Sequence, residues 1–284
     1  MNNRMNNITI NLNNNKNFIF LLCAILIIIV IFAIILNNYY KCNNKLYIIP
    51  KNIFLCYKNK NIPSHIIPTW KKLNPEYNIE FYDDNDCKTF LRENYGEEYV
   101  KIFNFIEDGP IKGDFWRVCI LYIRGGVYSD IDVMPIVPIR DFLDKDASFL
   151  TCTSVLGELL NPHFIICPAK DPIIKLAVDT YVRYYRDKKP YSYWGWSIVF
   201  ILTNIITQEF GKNIINEGIH ISKSGRIFQI LKEVQPKLLK ELSPGKFKQT
   251  TGTLHDVYCS YNNKIILYNR FPDYDAKNHT FKKK

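Results

Sequence analysis

The sequence predicts an α/β domain, a sheet with helices packed on it, preceded by one membrane-spanning helix. Three observations carry this. β-Prone apolar runs alternate with amphipathic helical stretches from residue 46 onward. An unbroken apolar run, Phe18–Leu36, stands alone ahead of them. Finally, Ile111–Pro135 runs from a helix through a glycine pair into a short strand that ends at Asp130 and Asp132. Open α/β sheets bind ligands at such strand ends.

In chain order, residues 1–17 are Asn-rich and aperiodic and read as a disordered tail. Phe18–Leu36 reaches roughly 28 Å as a helix, close to the hydrocarbon thickness of a bilayer. No small-residue cleavage site follows it, and Tyr39 and Tyr40 suit a membrane interface. The run is therefore expected to be a single-pass anchor over 18–36, with a linker over 37–45 and the domain over 46–284. Arg4 and Lys16 before it and Lys41, Lys45 and Lys51 after it leave the orientation open.

Ile48–Tyr57 is apolar and β-prone and predicts a buried first strand. Pro63–Leu73 predicts a short helix and Asn78–Tyr82 a second strand. Asp83 or Asp84 caps a helix through about Tyr95, and Glu97–Phe105 forms another. The alternation of strands with helices points to a parallel sheet. Beyond the aspartates, Val133–Ile139 reads as a proline-interrupted edge segment. Ala147–Cys152, His163–Cys167 and Lys264–Tyr268 read as strands, and Asp171–Arg186 and Trp194–Glu209 as helices. Tyr191, Tyr193, Trp194 and Trp196 cluster at the start of the last helix, an arrangement that serves either a core or a sugar-stacking face. No internal repeat is present.

The chemistry concentrates in the central stretch. Pro110 suits the first helical turn, where its missing N–H costs nothing. Phe115, Val118, Cys119 and Tyr122 form one apolar stripe. Asp114 and Arg117, three apart, present a carboxylate and a guanidinium on neighbouring faces. Gly125 and Gly126 end the helix. Asp130 and Asp132, two apart in an extended segment, point the same way. Two adjacent carboxylates are costly unless a cation joins them, and a divalent metal is the natural candidate.

The spaced string Asp114, Arg117, Leu121, Gly125, Gly126, Tyr128, Asp130 and Asp132 resembles the signature of DXD-containing sugar transferases. That family includes initiating α-1,6-mannosyltransferases, inositol-phosphoceramide mannosyltransferases and capsular polysaccharide enzymes, and glucosylating bacterial toxins share its core. Residues 48–57 are similar to the family's opening I-P-K-x-I-H-x-x-W, with Phe54 in place of His and Tyr57 in place of Trp. The resemblance implies a GT-A fold, a Rossmann-like mixed sheet flanked by helices, and hexose transfer with retention of anomeric configuration. It implies a UDP- or GDP-sugar donor, a glycan, lipid or protein acceptor, and Mn²⁺ or Mg²⁺ as cofactor. Asp132 would ligate the metal directly, while Asp130 would bind ribose and reach the metal through water. Asp114 and Arg117 would hold ribose or sugar hydroxyls and a phosphate, and Tyr128 a phosphate oxygen. Tyr57 either stacks on the base or is a core aromatic at a strand end; Asn161 either faces the substrates or merely forms the turn before Pro162. His279 stands near the place of a C-terminal histidine found in relatives. A type II anchor with the catalytic domain in a secretory, Golgi-like lumen is the arrangement the family implies.

The composition excludes little else. Thirty-seven Lys+Arg against 27 Asp+Glu leave +10, an excess that attracts phosphates generally. The basic residues are scattered apart from Lys282–Lys284, so no nucleic-acid partner is expected. Cys23 lies in the apolar run, and the remaining cysteines are odd in number with no metal-type spacing. Two other classes stay open: a tethered sugar-nucleotide binding module without catalysis, and a DxD phosphatase or phosphotransferase. The second expects Thr or Val after Asp130-Ile131-Asp132-Val133, where Met134 stands.

Overall fold

The computed structural model describes residues 25–33, 47–155, 159–212, 216–234, 257–269, 271–275 and 278–282. The chain divides into two units, Met1–Leu46 and Tyr47–Lys284. In the first, residues 25–33 form helix α1 with every side chain exposed. The expected tail, the linker and both ends of the expected span (18–24 and 34–36) lie outside the described residues. Among the described residues no helix is long and apolar enough to cross a membrane.

In the second unit, β1 (Asn52–Cys56), α2 (Ile66–Leu73), β2 (Asn78–Tyr82), α3 (Asp84–Tyr95), α4 (Glu97–Phe105), α5 (Gly109–Arg124) and β3 (Gly126–Ser129) follow in order. The chain continues with β4 (Met134–Pro135), β5 (Phe149–Cys152), β6 (Phe164–Cys167), α6 (Pro172–Arg186), α7 (Tyr193–Trp196) and α8 (Ile198–Phe210). It closes with β7 (Gly218–Ile221), β8 (Ile227–Val234), β9 (Tyr258–Tyr261), β10 (Lys264–Tyr268), β11 (Tyr274–Asp275) and β12 (Thr280–Phe281). The main sheet runs β2-β1-β3-β6-β5-β8-β9-β10-β4, with β7 beside β8.

That sheet is mixed, which corrects the expectation of a parallel sheet drawn from the alternation alone. β1 pairs in parallel with β2 and β3, and β5 with β8, whereas β6 runs antiparallel to both β3 and β5. The β5–β6 connection closes on itself through a Thr153–Leu160 bridge. It is too short for the crossover helix that a parallel pair requires.

Alternation along the central strands covers both faces. Phe54, Tyr128, Ile165 and Cys167 pack into one core beneath α3 to α6 and α8. Ile53, Leu55, Val127, Phe164 and Ile166 pack into the other with Trp70 of α2. Helix α5 runs through the first core, and Asp114 through Leu121 are all buried. It ends where Gly125 takes φ +59° and Gly126 φ +109°. A Cβ on Gly125 would lie 2.2 Å from the Ala169 nitrogen, and one on Gly126 2.7 Å from the Asn52 oxygen. The glycine pair therefore both stops the helix and lets β3 lie against its neighbours. Asp83, rather than Asp84, caps α3 through a reciprocal capping box with Asp86.

The helix expected over Trp194–Glu209 is broken at Ser197. Ser197 is extended and its hydroxyl accepts the Val199 N–H at 3.3 Å. The Asp114 carboxylate accepts the Ile198 N–H at 3.0 Å. Two acceptors at these N–H groups start a new helix, α8, in place of a continuous one.

Candidate active site

β3 delivers the aspartates to the carboxyl end of the sheet, but they do not continue as strand. The Val133 N–H bonds back to the Asp130 carbonyl at 3.1 Å, closing a turn over residues 130–133. The expectation of two carboxylates on one face of an extended segment is thereby corrected: they stand on a tight turn at a strand end. Three backbone bonds pin it, the others being the Asp130 N–H to the His163 carbonyl (2.8 Å) and the Phe271 N–H to the Asp132 carbonyl (2.7 Å). Both aspartates are half-buried.

Arg117 is the hub. Its Nη2 lies 2.8 Å from both Asp114 Oδ1 and Asp130 Oδ1. Its Nη1 donates to the Pro162 carbonyl, and its guanidinium carbon stands 4.5 Å from the Tyr128 ring centroid. The Tyr128 hydroxyl donates to the same Asp130 oxygen at 2.9 Å. The Arg117 side chain is only 5% exposed, that of Asp114 9%, and that of Asp130 29%. Arg117 and Tyr128 therefore orient Asp130 from within, and Asp130 is the member that reaches solvent. Asp114 has both oxygens engaged, one by Arg117 and one by the start of α8. Burial pushes Asp114 up to about 6 against the pull of the Arg117 guanidinium. Burial likewise lifts the Cys56 thiol, 3.4 Å from the Tyr128 hydroxyl, to about 12, so it is a neutral packing group.

The other expected residues lie further out. Tyr57 directly follows β1 and is half-buried, its ring 5.5 Å from Phe281 and its hydroxyl donating to the His279 carbonyl at 3.2 Å. Asn161 adjoins Pro162 and His163, whose carbonyls accept from Arg117 and the Asp130 N–H, but its amide donates to the buried Glu233 carboxylate at 2.8 Å. Of the aromatic cluster, Trp196 is core and Tyr191 is tied to Asp108 at 2.7 Å, while Trp194 is 59% exposed. The Tyr193 hydroxyl is raised to about 12, first by burial and then by Asp114 and Asp130, and its ring meets Trp194 edge-on at 5.1 Å. Sequence reasoning did not single out the Pro162 and His163 carbonyls or Glu233, since backbone acceptors and a lone strand glutamate carry no motif.

The carboxylate turn, the Arg117 helix and the strand between them fall in one contiguous stretch that known proteins share. Residues 63–149 match the family of glycosyltransferase sugar-binding regions containing a DXD motif. An initiation-specific α-1,6-mannosyltransferase of Candida albicans is 29% identical over 110 residues, 36% of this chain and 29% of that protein. An uncharacterised glycosyltransferase of Acanthamoeba polyphaga mimivirus is 35% identical over 25% of this chain and 29% of its own. Inositol phosphoceramide mannosyltransferase 1 of Schizosaccharomyces pombe is 29% identical over 46% of this chain and 42% of its own. The alignments thus span less than half the length of these curated relatives. Among solved structures, the PaToxG glycosyltransferase is similar over 62% of this chain and 76% of its own, at 19% identity and a TM-score of 0.46, too distant a likeness to bear on the site.

Proposed function

We propose that the chain is a metal-dependent, retaining hexosyltransferase of GT-A type that uses a UDP- or GDP-sugar donor and a glycan, lipid or protein acceptor. One observation carries this reading: within the matched region, a buried Arg117 and Tyr128 hold Asp130 at a strand-end turn that also bears Asp132. The residues fit a hard divalent ion such as Mn²⁺ or Mg²⁺, because the turn offers carboxylate oxygens and no soft donor. Arg117 and Tyr128 occupy two acceptor positions of Asp130, and a carboxylate has about four. Such an ion, when bound, supplies positive charge against the diphosphate as it leaves.

The remaining roles belong to the chain. Asp132 and Asp130 face the ion and the donor. Arg117 fixes the orientation of Asp130 and, with Asp114, keeps the turn in register with the start of α8. Tyr128 locks the same oxygen by its hydroxyl. Tyr57, directly after β1, stands on the base side, and Asn161 holds the 161–163 turn from behind through Glu233. Tyr193 and the exposed Trp194 offer aromatic faces to an acceptor sugar. The apolar run 18–36 anchors the chain in a secretory membrane with the domain in the lumen.

The test is to incubate the purified chain with a panel of UDP- and GDP-hexoses and candidate acceptors and follow nucleotide release. Metal-dependent release from one or two donors is expected. Tight donor binding with no release from any donor would favour the binding-module alternative instead.

A further inference from the structure

Directly behind the carboxylate turn, β5, β6, β8 and β9 bring together three buried side chains with metal-ligating atoms. Cys152 ends β5, His163 precedes β6, and Cys259 lies on β9. Their ligand atoms all fall within 4.8 Å of one another. Cys152 and Cys259 Sγ are 3.5 Å apart, and His163 Nε2 is 3.3 Å from Cys259 Sγ. We propose that Cys152, His163 and Cys259 form a binding site for a thiophilic divalent ion, zinc, which clamps the 161–163 turn against the carboxylates.

Four features point this way. Tetrahedral zinc with Zn–S near 2.3 Å and Zn–N near 2.0–2.1 Å sets S···S at roughly 3.7 Å and S···N at roughly 3.6 Å; the observed separations lie within a few tenths of these. The histidine is oriented for ligation. Nδ1 lies 2.9 Å from the Asn161 carbonyl, which only accepts, and 3.6 Å from the Glu233 carboxylate. Nδ1 therefore carries a proton, and Nε2 faces the Cys259 sulfur. A carbonyl or carboxylate on the far nitrogen is the usual support of a metal-bound histidine. The Asn269 amide oxygen lies 3.5 Å from Cys259 Sγ, an oxygen at hand for a fourth ligand, while its NH₂ is held by Glu233 at 2.8 Å. Last, Cys152 pairs opposite Leu231 and Cys259 opposite Glu233, on the two edges of β8, and both are free thiols, so an ion between them ties β5 to β9.

Binding deprotonates both thiols and releases two protons to solvent. The zinc with two thiolates and a neutral imidazole is then uncharged, which suits a buried site. The consequence reaches the candidate active site through the backbone: the His163 carbonyl holds the Asp130 N–H, and the Pro162 carbonyl holds Arg117. An ion on the His163 ring fixes both acceptors.

The experiment is metal analysis of the full chain, purified in detergent and dialysed against EDTA to strip exposed and carboxylate-bound cations. We expect zinc to be retained close to one-to-one, to be retained equally in Asp132→Asn, and to be lost in Cys259→Ser. Because Cys259→Ser can misfold, the unmodified chain is also denatured, stripped and refolded with Co²⁺. A near-ultraviolet thiolate-to-cobalt charge-transfer band with intense visible bands of a tetrahedral ion is expected. Absence of both retained zinc and the cobalt–thiolate band in the unmodified chain would reduce the cluster to a hydrogen-bonded thiol–imidazole group and overturn the proposal. Loss of zinc in Asp132→Asn would overturn it too, by placing the ion at the carboxylates. Neither readout involves a sugar donor, so the outcome is independent of the proposed transferase activity.

Discussion

At the residue scale, the interaction that most distinguishes this site is the buried bridge from Arg117 to Asp114 and Asp130. From sequence, Asp114–Arg117 is an ordinary i,i+3 pair on a helix, of the kind worth little at a surface. Burial changes its character, since removing one partner leaves a charge uncompensated in the core. The pair was legible as residues and as spacing. Its inward orientation was not, because helical periodicity says which residues share a face and not which face meets a second helix, here the start of α8. Asp114 supplies a pH test. Its folded value of about 6 lies above its unfolded value near 3.9, so the folded state holds the proton more tightly across that window. The stability this group contributes is complete below about pH 4 and is lost as pH rises through 6. Between pH 4 and 7 the unmodified chain should lose roughly 1–3 kcal/mol by this route. Asp114→Asn should lack that component, and urea midpoints of the two proteins across the range would show it as a converging difference. Parallel pH dependence in both would mean that Asp114 does not hold its proton in the folded chain.

At the element scale, the α5–Gly125–Gly126–β3 unit was read almost whole from sequence, because each of its signals is local. Glycines at a helix end and an apolar strand leading into aspartates need no knowledge of distant partners. The extended form expected for 130–132 failed for the opposite reason. The bonds that shape this turn come from His163 and Phe271, remote in the chain. The same holds at Ser197, where a distant carboxylate starts a helix that local periodicity would have run through. Gly125 offers the sharpest element-scale test. At φ +59° and ψ −179° its backbone lies in a region kept for glycine, and a Cβ would meet the Ala169 backbone. Gly125→Ala should cost about 3 kcal/mol or more. Gly109→Ala, where nothing lies within 4 Å of the new methyl, should stay within about 1 kcal/mol of the parent. Denaturant unfolding of both compares them, and equal stabilities would show that the close approach of β3 does not depend on Gly125.

At the scale of the whole molecule, the first half of the domain was legible, while of the last third only the strand Lys264–Tyr268 was. β8 is the pivot of that region, pairing with β5 on one edge and with β7 and β9 on the other. Its sequence conceals it, since Gln229 and Glu233 are buried polar residues in a core strand. Gln229 is satisfied by the Phe142 carbonyl at 2.7 Å and the Asp144 N–H at 2.9 Å, partners that no local pattern announces. The resemblance supplied what periodicity could not, a mixed sheet. The proposed function joins these scales: Asp130 and Asp132, carried to one strand end, would hold a metal–diphosphate. Calorimetric titration of the purified chain with UDP and GDP, in Mn²⁺ and again in EDTA, tests it most directly. One nucleotide should bind with Mn²⁺ and lose about tenfold or more in affinity, at least 1.4 kcal/mol, both on chelation and in Asp132→Asn, with the thermal unfolding midpoint of that variant unchanged. Equal affinity with and without metal, retained in Asp132→Asn, would contradict the account.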